Sequence, residues 1–117
     1  MRENILKDKS YQFAILIVKI AEELVSNKKE FVLSKQILRS GTSIGALIRE
    51  AEFAQSKADF IHKMTISLKE ANETLYWLDL LKDTDYITIE IHKDMTSKIK
   101  ELIAMLVSSI KTTKSRL

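Results

Sequence analysis

The chain has 117 residues, which is enough for one compact domain covering residues 1–117 and too few for two. Hydrophobic residues make up 45% and charged residues 30%, so the composition argues against disorder, and two glycines with no proline favour long helices. The absence of cysteine excludes disulfides and thiol chemistry, while a net charge of +3 is compatible with nucleic acid binding but does not require it.

An apolar run at residues 13–21 is the nearest approach to a signal or membrane segment. Lys19 interrupts it, and no run reaches the roughly 18 apolar residues that a membrane span needs. Together with the missing cysteines, this predicts a cytoplasmic protein with no membrane partner.

Apolar residues recurring at steps of three and four predict four helices. The first runs from about residue 4 to residue 27. Ser34 is predicted to cap the second, Ser56 the third with Asp59 in its first turn, and Thr88 the fourth. The predicted core residues, helix by helix, are Leu6, Phe13, Ile17, Ile20 and Leu24; Ile37, Gly41, Ile44, Ile48 and Ala51; Ile61, Met64, Leu68, Ala71, Leu75 and Leu78; and Ile91, Met95, Ile99, Leu102 and Leu106. Short connections predict an all-α, up-down-up-down antiparallel four-helix bundle.

Both glycines lie in the second helix, one turn apart. Gly41 and Gly45 remove side chains from one side of that helix, which predicts close approach of a neighbouring helix. A membrane dimerisation motif would need an apolar span, and a phosphate loop would need a different spacing and a lysine.

A second apolar stripe lies opposite the core on two helices. Its residues are Tyr11, Ile15 and Val18 on the first helix and Ile66, Glu73, Trp77 and Leu80 on the third. Exposed patches with Trp and Tyr are typical of interfaces, although single exposed apolar side chains are ordinary. Because the first and third helices are diagonal in such a bundle, the stripes should face away from each other, which favours a head-to-tail contact that closes into a ring.

Candidate catalytic and metal chemistry is sparse. Asp59 and His62 have a metal-binding spacing, but a di-metal bundle needs that motif twice with inward glutamates, so His62 is expected at the surface. Glu70 and Glu73 are predicted to lie outside the core, and no base is placed to activate a serine or threonine. We therefore expect no catalytic residues, no metal and no other cofactor, and a metal-dependent bundle enzyme is the least favoured interpretation.

Basic residues give the more informative pattern. Lys93, Lys100 and Lys111 fall on one outward face of the fourth helix, and Arg39 and Arg49 project from the second. Charge pattern alone favours solvation and nucleic acid contact about equally.

Two motifs carry a family resemblance: Arg39-Ser-Gly-Thr-Ser-Ile-Gly-Ala46, and the segment KEANETLYWL at residues 69–78. Across essentially its whole length the chain resembles the four-helix bundle proteins encoded by intervening sequences of bacterial 23S ribosomal RNA genes. The resemblance implies a homopentamer without a defined biochemical role. Where that family commonly has an asparagine and a small residue, this chain has Leu47 and Arg49.

More distantly, the chain is similar to accessory variability proteins of diversity-generating retroelements, which contact nucleic acid and a reverse transcriptase. This similarity implies RNA or a nucleic-acid-associated protein as partner. Two functional hypotheses follow. The first is a non-enzymatic oligomeric bundle that binds RNA or a ribonucleoprotein through its basic surface. The second is a protein scaffold or structural module without nucleic acid binding, and salt-dependent RNA binding would separate the two.

Overall fold

The computed structural model describes the backbone of residues 2–116 and the side chains of residues 5–116. It contains four helices: α1 (Arg2–Ser26), α2 (Leu33–Ala51), α3 (Lys57–Asp83) and α4 (Ile89–Ser115). No strand occurs within this described part of the chain. The all-α prediction is therefore confirmed.

The helices pack as a bundle in which each contacts its neighbours in sequence and α1 also contacts α4. Across the α2–α3 seam, Ser40 bonds Thr74 whereas Glu50 bonds Lys63, so residue numbers rise on one helix as they fall on the other. That reversal means that α2 and α3 are antiparallel, as predicted. The bundle is elongated, 48 × 22 × 20 Å, as expected for helices of up to 27 residues.

Most of the predicted core residues are buried around the bundle axis. A few lie at its edge and are only partly buried, namely Ile20, Ile61, Leu68 and Leu75. The prediction is wrong for Ile91, whose side chain is 41% exposed. Helical periodicity placed Ile91 inward, but it lines a groove that α1 and α4 leave open between them.

The buried stripe of α3 includes two hydroxyl residues, Ser67 and Thr74, next to the predicted core residues Leu68 and Leu75, which are only partly buried. Ser67 donates a 2.9 Å hydrogen bond to the Ile44 carbonyl. Thr74 Oγ1 lies 2.8 Å from the Glu70 carbonyl oxygen and 2.9 Å from Ser40 Oγ. Because their polar atoms are satisfied, these small side chains can be fully buried and bring α2 close to α3.

The glycines of α2 permit close packing against α1, as predicted. A Cβ atom at Gly41 would lie 2.7 Å from Ile17 Cγ1, and one at Gly45 would lie 3.1 Å from Ser10 Oγ. Since Ile17 is β-branched and stiff at χ1, it has little room to yield. A side chain at Gly41 would therefore collide with Ile17 of α1.

Two of the three predicted helix caps are confirmed. Ser56 Oγ accepts from the Asp59 N–H at 3.0 Å, and Thr88 Oγ1 accepts from the Ile91 N–H at 3.1 Å. The prediction for Ser34 is wrong, because α2 begins at Leu33, one residue before Ser34, and Ser34 is buried in its first turn.

Glu30 supplies the α2 cap instead. Its carboxylate accepts hydrogen bonds from the backbone N–H groups of Leu33 and Ser34, at 2.9 and 2.8 Å, and of Val32 at 3.2 Å. Burial favours the protonated form, but these backbone N–H donors outweigh it and lower the pKa of Glu30 below its ordinary value of 4.5.

Replacing Glu30 with alanine should destabilise the protein by about 1 kcal/mol at pH 7, since three backbone N–H groups at the start of α2 lose their acceptor. Because the folded-state pKa is lowered, the carboxylate stabilises the fold fully above pH 4.5 and loses this effect as the pH falls through the lowered pKa. Urea unfolding at pH 7 and pH 3 measures the loss of stability and its pH dependence, with exposed Glu22→Ala as the control. An equal deficit of Glu30→Ala at both pH values would contradict this account.

Candidate nucleic-acid interface

A stripe of lysines runs along the outer face of α4. Lys93, Lys100 and Lys111 are all exposed, and no carboxylate pairs with any of them within the described residues. Other lysines of the chain form ion pairs, among them Lys7, Lys9, Lys63, Lys82 and Lys98. The stripe can therefore approach an anion without first breaking an ion pair.

The spacing of the lysine stripe follows the helical repeat. Lys93 and Lys100 are two turns apart, Lys111 follows three turns later, and the small exposed residues Ser97 and Ala104 lie between them. At 1.5 Å per residue the stripe is about 27 Å long. It thus presents three separated positive charges along one edge of the bundle.

A groove of about 610 Å³ adjoins one end of the stripe, where the end of α3 meets the first half of α4. Lys82 of α3 lines this groove together with Lys93 and Lys100. Sequence reasoning missed Lys82 because it belongs to another helix, although the antiparallel register of α3 and α4 would have brought it near. His92 and Thr96 form part of the same lining.

The two predicted arginine contacts are engaged within the chain. Arg39 pairs with Glu70 at 3.2 Å and with Glu73, and the Arg49 guanidinium lies 5.1 Å from the centre of the Tyr11 ring. Both arginines extend from α2, which does not contact α4 in the described bundle. The structure therefore does not bring them together with the lysine stripe.

The predicted interface residues border the outer surface of α2. Tyr11 and Val18 are 51% and 40% exposed, and the remainder are partly buried, namely Ile15, Ile66, Glu73, Trp77 and Leu80. Tyr11 contacts Arg49, and Trp77 Nε1 donates to Glu73, which in turn pairs with Arg39. Both stripes therefore flank one helix, which corrects the expectation that they face away from each other.

The two histidines lie on different helices. His62 is exposed on α3, and His92 Nε2 lies 2.7 Å from Asp79 Oδ1. No group of three or more potential metal ligands exists within the described residues. Over the same part of the chain, no helix is long and apolar enough to cross a membrane.

A second groove, of about 440 Å³, lies between α1 and the start of α4. Its apolar lining includes Leu16, Ile20, Ile91 and Met95, and Lys19 lies at its edge. Sequence reasoning missed this groove, because helical periodicity placed Ile91 in the core, whereas its side chain is exposed in the groove.

Comparison with known proteins agrees with this architecture. The family model of the 23S rRNA-intervening sequence proteins matches residues 2–108. A crystal structure at 1.70 Å of a protein with unknown function from the S23 ribosomal protein family of Bacteroides thetaiotaomicron VPI-5482 is also similar. The two chains are 58% identical with a TM-score of 0.93, covering 95% of this chain and 99% of that one. A search of curated proteins gave no match. The chain belongs to the 23S rRNA-intervening sequence protein family.

Proposed function

We propose that this protein is a non-enzymatic, homo-oligomeric four-helix bundle that binds RNA, alone or within a ribonucleoprotein, through the lysine stripe of α4. The observation that carries the proposal is the stripe itself: Lys93, Lys100 and Lys111 are exposed and unpaired within the described residues. Lysines in this state release counterions when they neutralise phosphates, which drives binding to a polyanion.

Assembly is the second part of the proposal. One subunit carries a net charge of only +3, so a monomer should hold RNA weakly. A ring of five, the number implied by the resemblance, would carry five times that charge and present five stripes to one polyanion. Exposed apolar residues of α1 and α2, including Val18 and Leu38, offer a surface for such assembly.

The alternative is a protein scaffold without nucleic acid binding. The apolar groove between α1 and α4 favours it, because a groove of about 440 Å³ lined by aliphatic side chains can accept anchor residues of a partner. In that case the lysine stripe would be an ordinary solvated face.

Salt dependence of RNA binding tests the proposal. We expect the assembled protein to bind a structured RNA at low salt, with affinity falling steeply as salt rises, because the contacts are mainly to phosphates. Fluorescence anisotropy at 50 and 200 mM salt measures this. Absence of binding at low salt would contradict the proposal and favour the scaffold.

A further inference from the structure

The groove beside the lysine stripe differs in charge from end to end. Lys93 and Lys100 border it along α4, whereas Asp83 and Asp85 border it at the α3–α4 turn. Asp83 is paired with Lys82 at 3.6 Å. A phosphodiester backbone is attracted to the α4 side and repelled by the carboxylates at the turn.

An exposed apolar side chain lies within the same groove. Ile89, the first residue of α4, is 71% exposed and lines the groove together with Lys93 and Lys100. Exposed aliphatic residues are ordinary when they stand alone. Here the residue lies one helical turn before Lys93 and lines the same groove as both lysines, so an apolar contact and phosphate contacts can be made within one site.

His92, which lines the groove, contacts Asp79 of α3. His92 Nε2 lies 2.7 Å from Asp79 Oδ1 and 3.4 Å from Thr96 Oγ1, and only 15% of the histidine side chain is exposed. This contact ties α4 to α3 at the groove. Ile89, Lys93 and Lys100 share one helix, so the spacing of their backbone positions is set before any ligand binds.

From this placement we propose that the groove holds a single-stranded RNA segment, with its phosphates on Lys93 and Lys100 and an unstacked base against Ile89. The inference rests on the proposed function and specifies its ligand. The two lysines are about 10 Å apart along the helix axis, so each can contact a different phosphate of one strand. In a duplex, bases are stacked and paired, and none is free to cover Ile89.

The test compares a 12-nucleotide single strand with a blunt duplex of the same length, using the assembled protein at low salt. We expect the single strand to bind about tenfold more tightly than the duplex, because a base that covers Ile89 removes apolar surface from water. Ile89→Ser should remove this preference by weakening single-strand binding about tenfold while leaving duplex binding unchanged.

The matched control is Phe53→Ser. Phe53 is 83% exposed but belongs to the α2–α3 turn, at the other end of the bundle, so its removal should change neither affinity. Equal binding of both RNAs, with no effect of Ile89→Ser, would overturn this inference and leave RNA binding intact. Failure of both RNAs to bind would overturn the proposed function and this inference with it.

Discussion

Changing Lys93, Lys100 and Lys111 together to glutamate is expected to abolish RNA binding at low salt. Each change subtracts two charges, so the net charge of a subunit falls from +3 to −3. All three side chains are exposed and unpaired within the described residues, so the fold should keep its stability. Losing three phosphate contacts per subunit should weaken binding by at least about 100-fold.

A matched variant separates the stripe from overall charge. Lys19, Lys28 and Lys29 are also exposed and form no ion pair within the described residues, and reversing all three also gives −3. We expect this control to bind RNA markedly better than the α4 variant. Equal loss in the two variants would show that net charge alone governs binding, and the assignment to α4 would be wrong.

Val18→Glu is expected to dissociate the proposed oligomer into folded subunits. Val18 is 40% exposed in the single chain, so the carboxylate would be hydrated in a free subunit and buried without a partner in an assembly. An unpaired buried charge costs about 3–5 kcal/mol, enough to disrupt assembly at micromolar concentration. Light scattering measures the mass, and circular dichroism checks that the helices remain.

Val18 is a better site than Trp77 for introducing a charge that affects assembly alone. Trp77 packs against the core and donates to Glu73, so a glutamate there would disturb the single subunit as well. Ala104→Glu places the same charge on the exposed face of α4 and should leave the mass of the oligomer unchanged. An unchanged mass for Val18→Glu would exclude this part of α1 from the interface.

Much of the fold was predictable because the apolar periodicity of each helix is contained in the sequence of that helix alone. The stripe of α2, including Gly41 and Ile44, was predicted correctly through a stretch whose local propensity favours a loop. The errors occurred where neighbouring elements decide the outcome. Ser67 is buried because a carbonyl of α2 accepts its hydrogen bond, and Ile91 is exposed because α1 does not cover it.

The candidate site was predictable only in part for the same reason. Lys93 and Lys100 share a helix, so a helical projection finds them together. Lys82 joins them only through the packing of α3 on α4. Conversely, the sequence predicted that Arg39 contacts nucleic acid, but the register of α2 and α3 places its side chain against Glu70 and Glu73.

The most direct test of the central claim is the mass of the protein–RNA complex at low salt, measured by native mass spectrometry. We expect five chains of 13.5 kDa each together with bound RNA, and loss of the RNA without loss of the pentamer as salt is raised. A protein that remains monomeric, or a pentamer that carries no RNA even at low salt, would contradict it.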